Sequence, residues 1–95
     1  MQNKQSKLLR ILANPKIEDI LRVLLRIEHD ELNATEIAAE CKIFTSYFTK
    51  LTAKLVEVDL VTRLYMNQNV YLVLNRNKAS MAMMILHKAK MFEDV

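Results

Sequence analysis

The spacing of apolar and polar residues along the chain predicts five helices and one β-hairpin. The first helix is predicted over Lys4–Ala13 and the second over residues 15–31, each with an apolar face at helical spacing. Asn14 and Pro15 separate the two, because asparagine is a favoured N-cap and proline suits the first helical position. The last helix is predicted over residues 75–92.

Two shorter helices are predicted in the middle of the chain. Asn33 and Glu36 have the N-cap and N3 spacing of a capping box, so a helix should begin there and run to about residue 42. A tight turn over residues 42–44 leads into a longer helix, capped by Thr45 or Ser46, that ends near Val58. The apolar positions of this pair have the spacing that lets two short helices cross at a steep angle. These positions are Ile37, Ala38, Cys41, Ile43, Phe48, Leu51 and Leu55.

Two β-rich runs follow, over residues 61–66 and 70–74, and predict a hairpin with its turn at residues 67–69. Asparagine accepts left-handed backbone geometry, so this turn does not need glycine. The predicted fold class is therefore mainly α with a small β-hairpin wing. A chain of 95 residues is expected to form one domain, because it is too short for two independent cores.

Residues 33–74 resemble the winged helix-turn-helix of bacterial and archaeal transcription regulators of the ArsR and MarR kinds. The matching segments are 35–41, 46–51, 54–55 and 59–61, and residues 12–17 with Leu24 and Leu25 resemble the ArsR opening in particular. The resemblance implies a DNA-binding homodimer paired through helices at both ends of the winged core. Lys42 and Asp59 occupy positions that these families usually fill with glycine. ArsR proteins often carry paired cysteines for metal sensing, and this chain has one cysteine.

The charge of the chain depends on the region considered. The net charge is +3 with a pI near 9.1, yet residues 31–60 carry three basic and five acidic side chains. Within this region, residues 41–56 contain three lysines and no acid. A recognition helix needs that local sign, although solvated helix lysines explain the same pattern.

We expect the helix from Thr45 to about Val58 to enter the major groove of DNA. Side chains near its amino-terminal end are candidates for contacts to base edges or phosphates, and nearby cations are candidates for phosphate contacts alone. The uncharged tip of the wing is expected to contribute hydrogen bonds, or else the hairpin mainly covers the core. The predicted DNA-binding residues are Lys42, Thr45, Ser46, Tyr47, Thr49, Lys50, Lys54, Arg63, Asn67, Gln68 and Asn69.

The last helix carries more apolar residues than one face can bury against its own domain. The surplus favours a two-fold dimer in which both terminal helices take part. A methionine-rich groove for a ligand or partner is the alternative, since methionine is flexible. The predicted dimer interface contains Leu8, Leu12, Met81, Met84, Ile85, Met91 and Phe92.

Several classes of function lack support in the sequence. The single Cys41 excludes an internal disulfide, and neither Cys41, His29 nor His87 belongs to a pattern of metal ligands. No catalytic motif or phosphate-binding loop is present, so we expect neither enzymatic activity nor a cofactor. No apolar run is long enough to span a membrane, and no secretory region is recognisable, so a cytoplasmic protein is expected.

The sequence thus predicts a sequence-specific, double-stranded-DNA-binding transcription regulator that acts as a homodimer. Two other functions remain open at this stage. The net acidic middle third and the apolar last helix are also compatible with a winged-helix module that binds proteins. The third function is that of an architectural protein that binds DNA with little sequence specificity.

Overall fold

The computed structural model of the protein describes residues 4–93, and the side chains of residues 7–88 within them. The type and order of the elements predicted from the sequence are confirmed in this part of the chain. In chain order, the elements are α1 (Lys4–Leu12), α2 (Pro15–Arg26), α3 (Ala34–Glu40), α4 (Thr45–Glu57), β1 (Val61–Met66), β2 (Asn69–Leu74) and α5 (Arg76–Glu93).

The start of α2 is as predicted, but its end is not. The Asn14 side chain accepts a hydrogen bond from the Lys16 backbone amide at 2.9 Å, and Pro15 is the first helical residue. The prediction that α2 continues to residue 31 is wrong, because α2 ends at Arg26 and the next residue, Ile27, has extended backbone geometry. A side chain distant in sequence stabilises this end. The Arg76 guanidinium donates hydrogen bonds to the carbonyl oxygens of Leu25 and Ile27, at 3.2 and 2.9 Å.

The predicted capping box at the start of α3 is confirmed. The Asn33 side chain accepts from the Glu36 amide, and the Glu36 carboxylate accepts from the Asn33 amide, each at 2.9 Å. The prediction that Thr45 or Ser46 caps α4 is wrong. The N-cap is Phe44, whose extended backbone places its carbonyl oxygen 2.8 Å from the Phe48 amide nitrogen, so Thr45 is already the first helical residue.

Strands β1 and β2 form an antiparallel hairpin whose turn is shorter than predicted. Met66 pairs with Asn69, so Asn69 belongs to β2 and the turn consists of Asn67 and Gln68. Both turn residues have positive φ, 49° and 66°. Two consecutive positive φ angles are what a two-residue type I′ hairpin turn requires. The turn thus forms without glycine, as the sequence predicted.

All the elements contribute to one hydrophobic core within the described residues. The apolar positions predicted to face inward from α3, α4 and the turn between them are all buried. Leu12 also lies in this core and is only 3% exposed. The prediction that Leu12 belongs to a dimer interface is therefore wrong, because its side chain is buried within its own subunit. The largest fully buried side chains are Ile17, Ile20, Leu21, Ile37, Leu51, Leu55, Leu60 and Leu72.

The start of α5 is hydrogen-bonded to the segment that follows α4. The Asn75 amide donates to the Leu60 carbonyl oxygen at 2.8 Å, and the Lys78 ammonium donates to the Val58 carbonyl oxygen at 3.2 Å. Asn75 also accepts from the Lys78 amide at 3.3 Å, as an N-cap does. Over residues 4–93, no helix has the length and apolar character needed to cross a membrane.

Candidate nucleic-acid interface

One face of α4 is polar and open to solvent. Helical geometry places Ser46 and Lys50 on the side opposite Phe48 and Leu51, and both are exposed. Thr49 is also exposed, and its hydroxyl donates a hydrogen bond to the Thr45 carbonyl oxygen at 2.9 Å. The amino-terminal half of α4 therefore presents side chains of the kinds that contact base edges and phosphates.

A groove of about 470 Å³ lies between α4, the start of α3 and the wing. Its walls are rich in hydroxyl and amide side chains, and its cation is Arg63. Five of the predicted DNA-binding residues meet here, which the sequence alone did not reveal. The polar lining consists of Asn33, Thr35, Thr45, Thr49, Thr52, Arg63, Tyr65, Gln68 and Asn69.

The position of Arg63 is fixed by a buried threonine of α4. The Arg63 guanidinium donates to the Thr52 hydroxyl oxygen at 3.4 Å, and the Thr52 hydroxyl donates to the Thr49 carbonyl oxygen at 3.0 Å. Thr52 is 3% exposed, whereas Arg63 is half-buried at the groove. A guanidinium has five N–H donors, so others remain for an anion in the groove.

The remaining predicted DNA-binding residues lie outside this groove. The Tyr47 hydroxyl accepts a hydrogen bond from the Asn14 side chain at 3.0 Å, which links α4 to the junction of α1 and α2. Lys54 lines a separate cleft between α1 and α4. Lys42 borders a depression that also contains Asp19 and Glu40. Asn67 is exposed at the tip of the wing.

Four polar residues of the groove were not among the predicted DNA-binding residues: Asn33, Thr35, Thr52 and Tyr65. Tyr65 is 73% exposed, and Thr35 lies in the first turn of α3. Tyr65 is two residues after Arg63 on β1, and side chains two apart on a strand share a face. That alternation was the available signal for Tyr65. Thr35 carried no comparable signal, because its place beside the wing depends on tertiary packing.

The lone cysteine is buried and lies away from the groove. Cys41 is 8% exposed, and burial raises the pKa of its thiol, with further increases from Asp19 and Glu40. The thiol is therefore protonated at neutral pH, which makes it a poor nucleophile and metal ligand. Among the described residues, no three side chains of the types that hold metals form a cluster.

An apolar surface is exposed on the two terminal helices, which contact each other. On α5, Met81 and Met84 are 63% and 60% exposed, and Ile85 is also exposed. On α1, Leu9 is exposed although it was not predicted, while Leu8 is partly buried against the core. The side chains of Met91 and Phe92, also predicted in the interface, lie outside the described ones.

Two solved structures share this arrangement of helices and hairpin. A homodimeric winged helix-turn-helix DNA-binding domain from Mycobacterium bovis, a possible ArsR-family transcriptional regulator, is similar with a TM-score of 0.77 and 17% sequence identity. The match covers 92% of this chain and 79% of that chain. Reduced HlyU from Vibrio cholerae gives a TM-score of 0.64 and 24% identity, covering 90% of this chain and 87% of that chain.

No protein-family model matches the sequence, and no curated protein matches it. The structural similarity establishes the fold. The chain has the winged helix-turn-helix fold, and the predicted resemblance to proteins of that fold is confirmed.

Proposed function

We propose that this protein binds double-stranded DNA sequence-specifically as a homodimer and regulates transcription. The exposed face of α4 carries Ser46, Thr49 and Lys50 near the amino-terminal end, where a helix in the major groove contacts bases. The main support for the proposal is the adjoining groove, where a hydrogen bond to Thr52 holds Arg63 beside α4. A phosphate in this groove would fix the register of α4 on the duplex.

Dimerisation is the second part of the proposal. The exposed apolar side chains Met81, Met84 and Ile85 on α5 lie on a helix that contacts α1. Pairing with a second copy would bury these side chains away from water, which favours the dimer. The dimer would then present two reading helices instead of one. The similar domain from Mycobacterium bovis is homodimeric, which supports the same arrangement here.

Lys50→Ala tests the role of the reading helix. The measurement is the dissociation constant for a duplex selected from random sequences, followed over a range of salt concentrations. If Lys50 neutralises one phosphate, the variant should bind more weakly, and the slope of log K against log salt should fall in magnitude by about 0.9. Arg22→Ala removes an equal charge from the exposed surface of α2 and serves as the control. Equal affinities and slopes for the two variants would remove Lys50 from the interface.

A protein-binding module is the second candidate function. Phe44, at the start of α4, is 86% exposed, and Tyr65 on the wing is 73% exposed. Exposed aromatic residues are typical anchors of protein interfaces. A wild-type protein that retains no duplex from a random pool at low salt would favour this function over DNA binding.

A further inference from the structure

Helix α1 runs along the side of α4 that faces away from the wing. Two contacts define the relative direction of the helices: Asn14 bonds Tyr47 near the start of α4, and Lys7 bonds Glu57 at its end. Between the helices lies a cleft of about 320 Å³. The buried side chains of Leu51 and Ile17 lie beneath this cleft, and its rim is charged.

The rim of the α1–α4 cleft has an excess of positive charge. Three cations, Lys7, Arg10 and Lys54, line it together with one acid, Glu57. The Lys7 ammonium donates to the Glu57 carboxylate at 2.6 Å. This hydrogen bond and the charges of Lys7 and Lys54 hold the pKa of Glu57 below its ordinary value, so Glu57 is ionised at neutral pH. Lys7 and Glu57 offset each other, while Arg10 and Lys54 remain exposed.

The cleft lies where a DNA strand would run beside α4 if α4 entered the major groove. The groove is about 12 Å wide and a helix with its side chains is about 10–12 Å across, so a sugar-phosphate backbone lies along each flank of the helix. On α4, Thr49 and Thr52 face the wing groove, whereas Leu51 and Lys54 face the α1–α4 cleft. If one DNA strand lies in the wing groove, the other DNA strand therefore lies beside the cleft.

We propose that the α1–α4 cleft binds phosphates of the second DNA strand, with Arg10 and Lys54 as the phosphate-binding residues. Glu57 then acts against binding, because its carboxylate engages Lys7 and repels the strand. This inference rests on the proposed function of α4 as the reading helix. It adds α1 to the DNA-binding surface and assigns opposite roles to two side chains of one cleft.

Arg10→Ala and Glu57→Gln test the cleft with effects of opposite sign. Arg10→Ala should weaken DNA binding several-fold. The slope of log K against log salt should fall in magnitude by about 0.9. Glu57→Gln should tighten binding and steepen the salt dependence, because it releases Lys7 to a phosphate. The matched controls are Arg22→Ala and Glu28→Gln, which make the same charge changes at exposed positions outside the cleft.

The outcomes separate this inference from the proposed function. If Arg10→Ala and Glu57→Gln behave like their controls while Lys50→Ala weakens binding, the cleft does not contact DNA and the reading helix stands. Stabilisation of the free protein by inorganic phosphate, lost in Arg10→Ala without a change in DNA affinity, would overturn the inference in favour of a small-anion site. Arg10→Gln, which retains hydrogen-bonding ability, and a thermal unfolding scan of each variant exclude loss of folding as the cause.

Discussion

Lys42 adopts a backbone conformation that glycine normally provides. Its φ is 57°, in the left-handed region, where a lysine costs about 1–2 kcal/mol. The hydrogen bonds around it hold the turn: the Lys42 amide donates to the Ala39 carbonyl oxygen at 3.1 Å, and the Ile43 amide donates to the Ala38 carbonyl oxygen at 2.9 Å. Burial of Cys41 and Ile43 on either side fixes the same geometry. Packing therefore offsets the local strain that the missing glycine leaves.

Cys41 should react slowly with thiol reagents in the folded protein. Burial and the nearby carboxylates of Asp19 and Glu40 raise the pKa of its thiol, so less thiolate is present at neutral pH than in the unfolded chain. The measurement is the rate of reaction with a chromogenic disulfide at pH 7, with and without denaturant. We expect a clearly lower native rate, because burial hinders access of the reagent and the raised pKa reduces the thiolate fraction. Equal rates in the two conditions would show that the fold does not protect Cys41.

Residue-level features were predictable where they depend on helical spacing or on a local cap. Phe48 and Leu55 repeat at helical spacing, and Asn33 with Glu36 forms a local pair, so burial and capping followed from the sequence. The contact of Lys7 with Glu57 joins residues fifty positions apart, and no periodicity relates them. The site features that the sequence did not predict likewise depend on contacts between residues far apart in the chain.

At the scale of elements, α5 connects the proposed dimer surface to α4, the proposed reading helix. Its first turn caps the ends of two other helices: Arg76 binds the carbonyl oxygens at the end of α2, and Lys78 binds that of Val58 at the end of α4. Positive side chains are favourable at such ends, because helix C-termini carry partial negative charge. A shift of α5 in one subunit would therefore act on the end of α4 through Lys78.

The end of α2 shows why some boundaries escaped prediction. The apolar pattern continues through Ile27, and local sequence contains no strong stop such as glycine or proline. The helix nevertheless ends at Arg26, and the Arg76 side chain stabilises that end from another element. Only the start of α2 carried local signals, namely Asn14 and Pro15, and it was predicted correctly.

The capping box of α3 should contribute measurably to stability. Asn33→Ala removes the acceptor for the Glu36 amide and should lower the free energy of unfolding by about 1 kcal/mol. Denaturant-induced unfolding followed by circular dichroism measures this difference. Asn77→Ala, in the exposed first turn of α5, is the matched control and should cost little because alanine favours helix. Equal stabilities of the two variants would contradict a stabilising role for the box.

At the scale of the whole molecule, the proposed DNA binding requires two copies of the chain. One copy of the chain offers one proposed reading helix, α4, with two basic flanks: Arg63 beside the wing, and Arg10 with Lys54 beside α1. A two-fold dimer through α1 and α5 would present two such helices to successive turns of the major groove. Such dimers bind half-sites about one helical turn apart, roughly 34–36 Å, so the proposed target is a pseudo-palindrome.

Selection of bound duplexes from a random DNA pool is the decisive test of the proposed DNA-reading homodimer. A DNA-reading homodimer should enrich a pseudo-palindrome whose half-sites are centred about 10 base pairs apart. Met84→Glu, which places a charge on the exposed apolar surface of α5, should give a folded monomer by light scattering and should lose that enrichment. Retention of no duplex by the wild-type protein, or enrichment of the same motif by monomeric Met84→Glu, would contradict a DNA-reading homodimer.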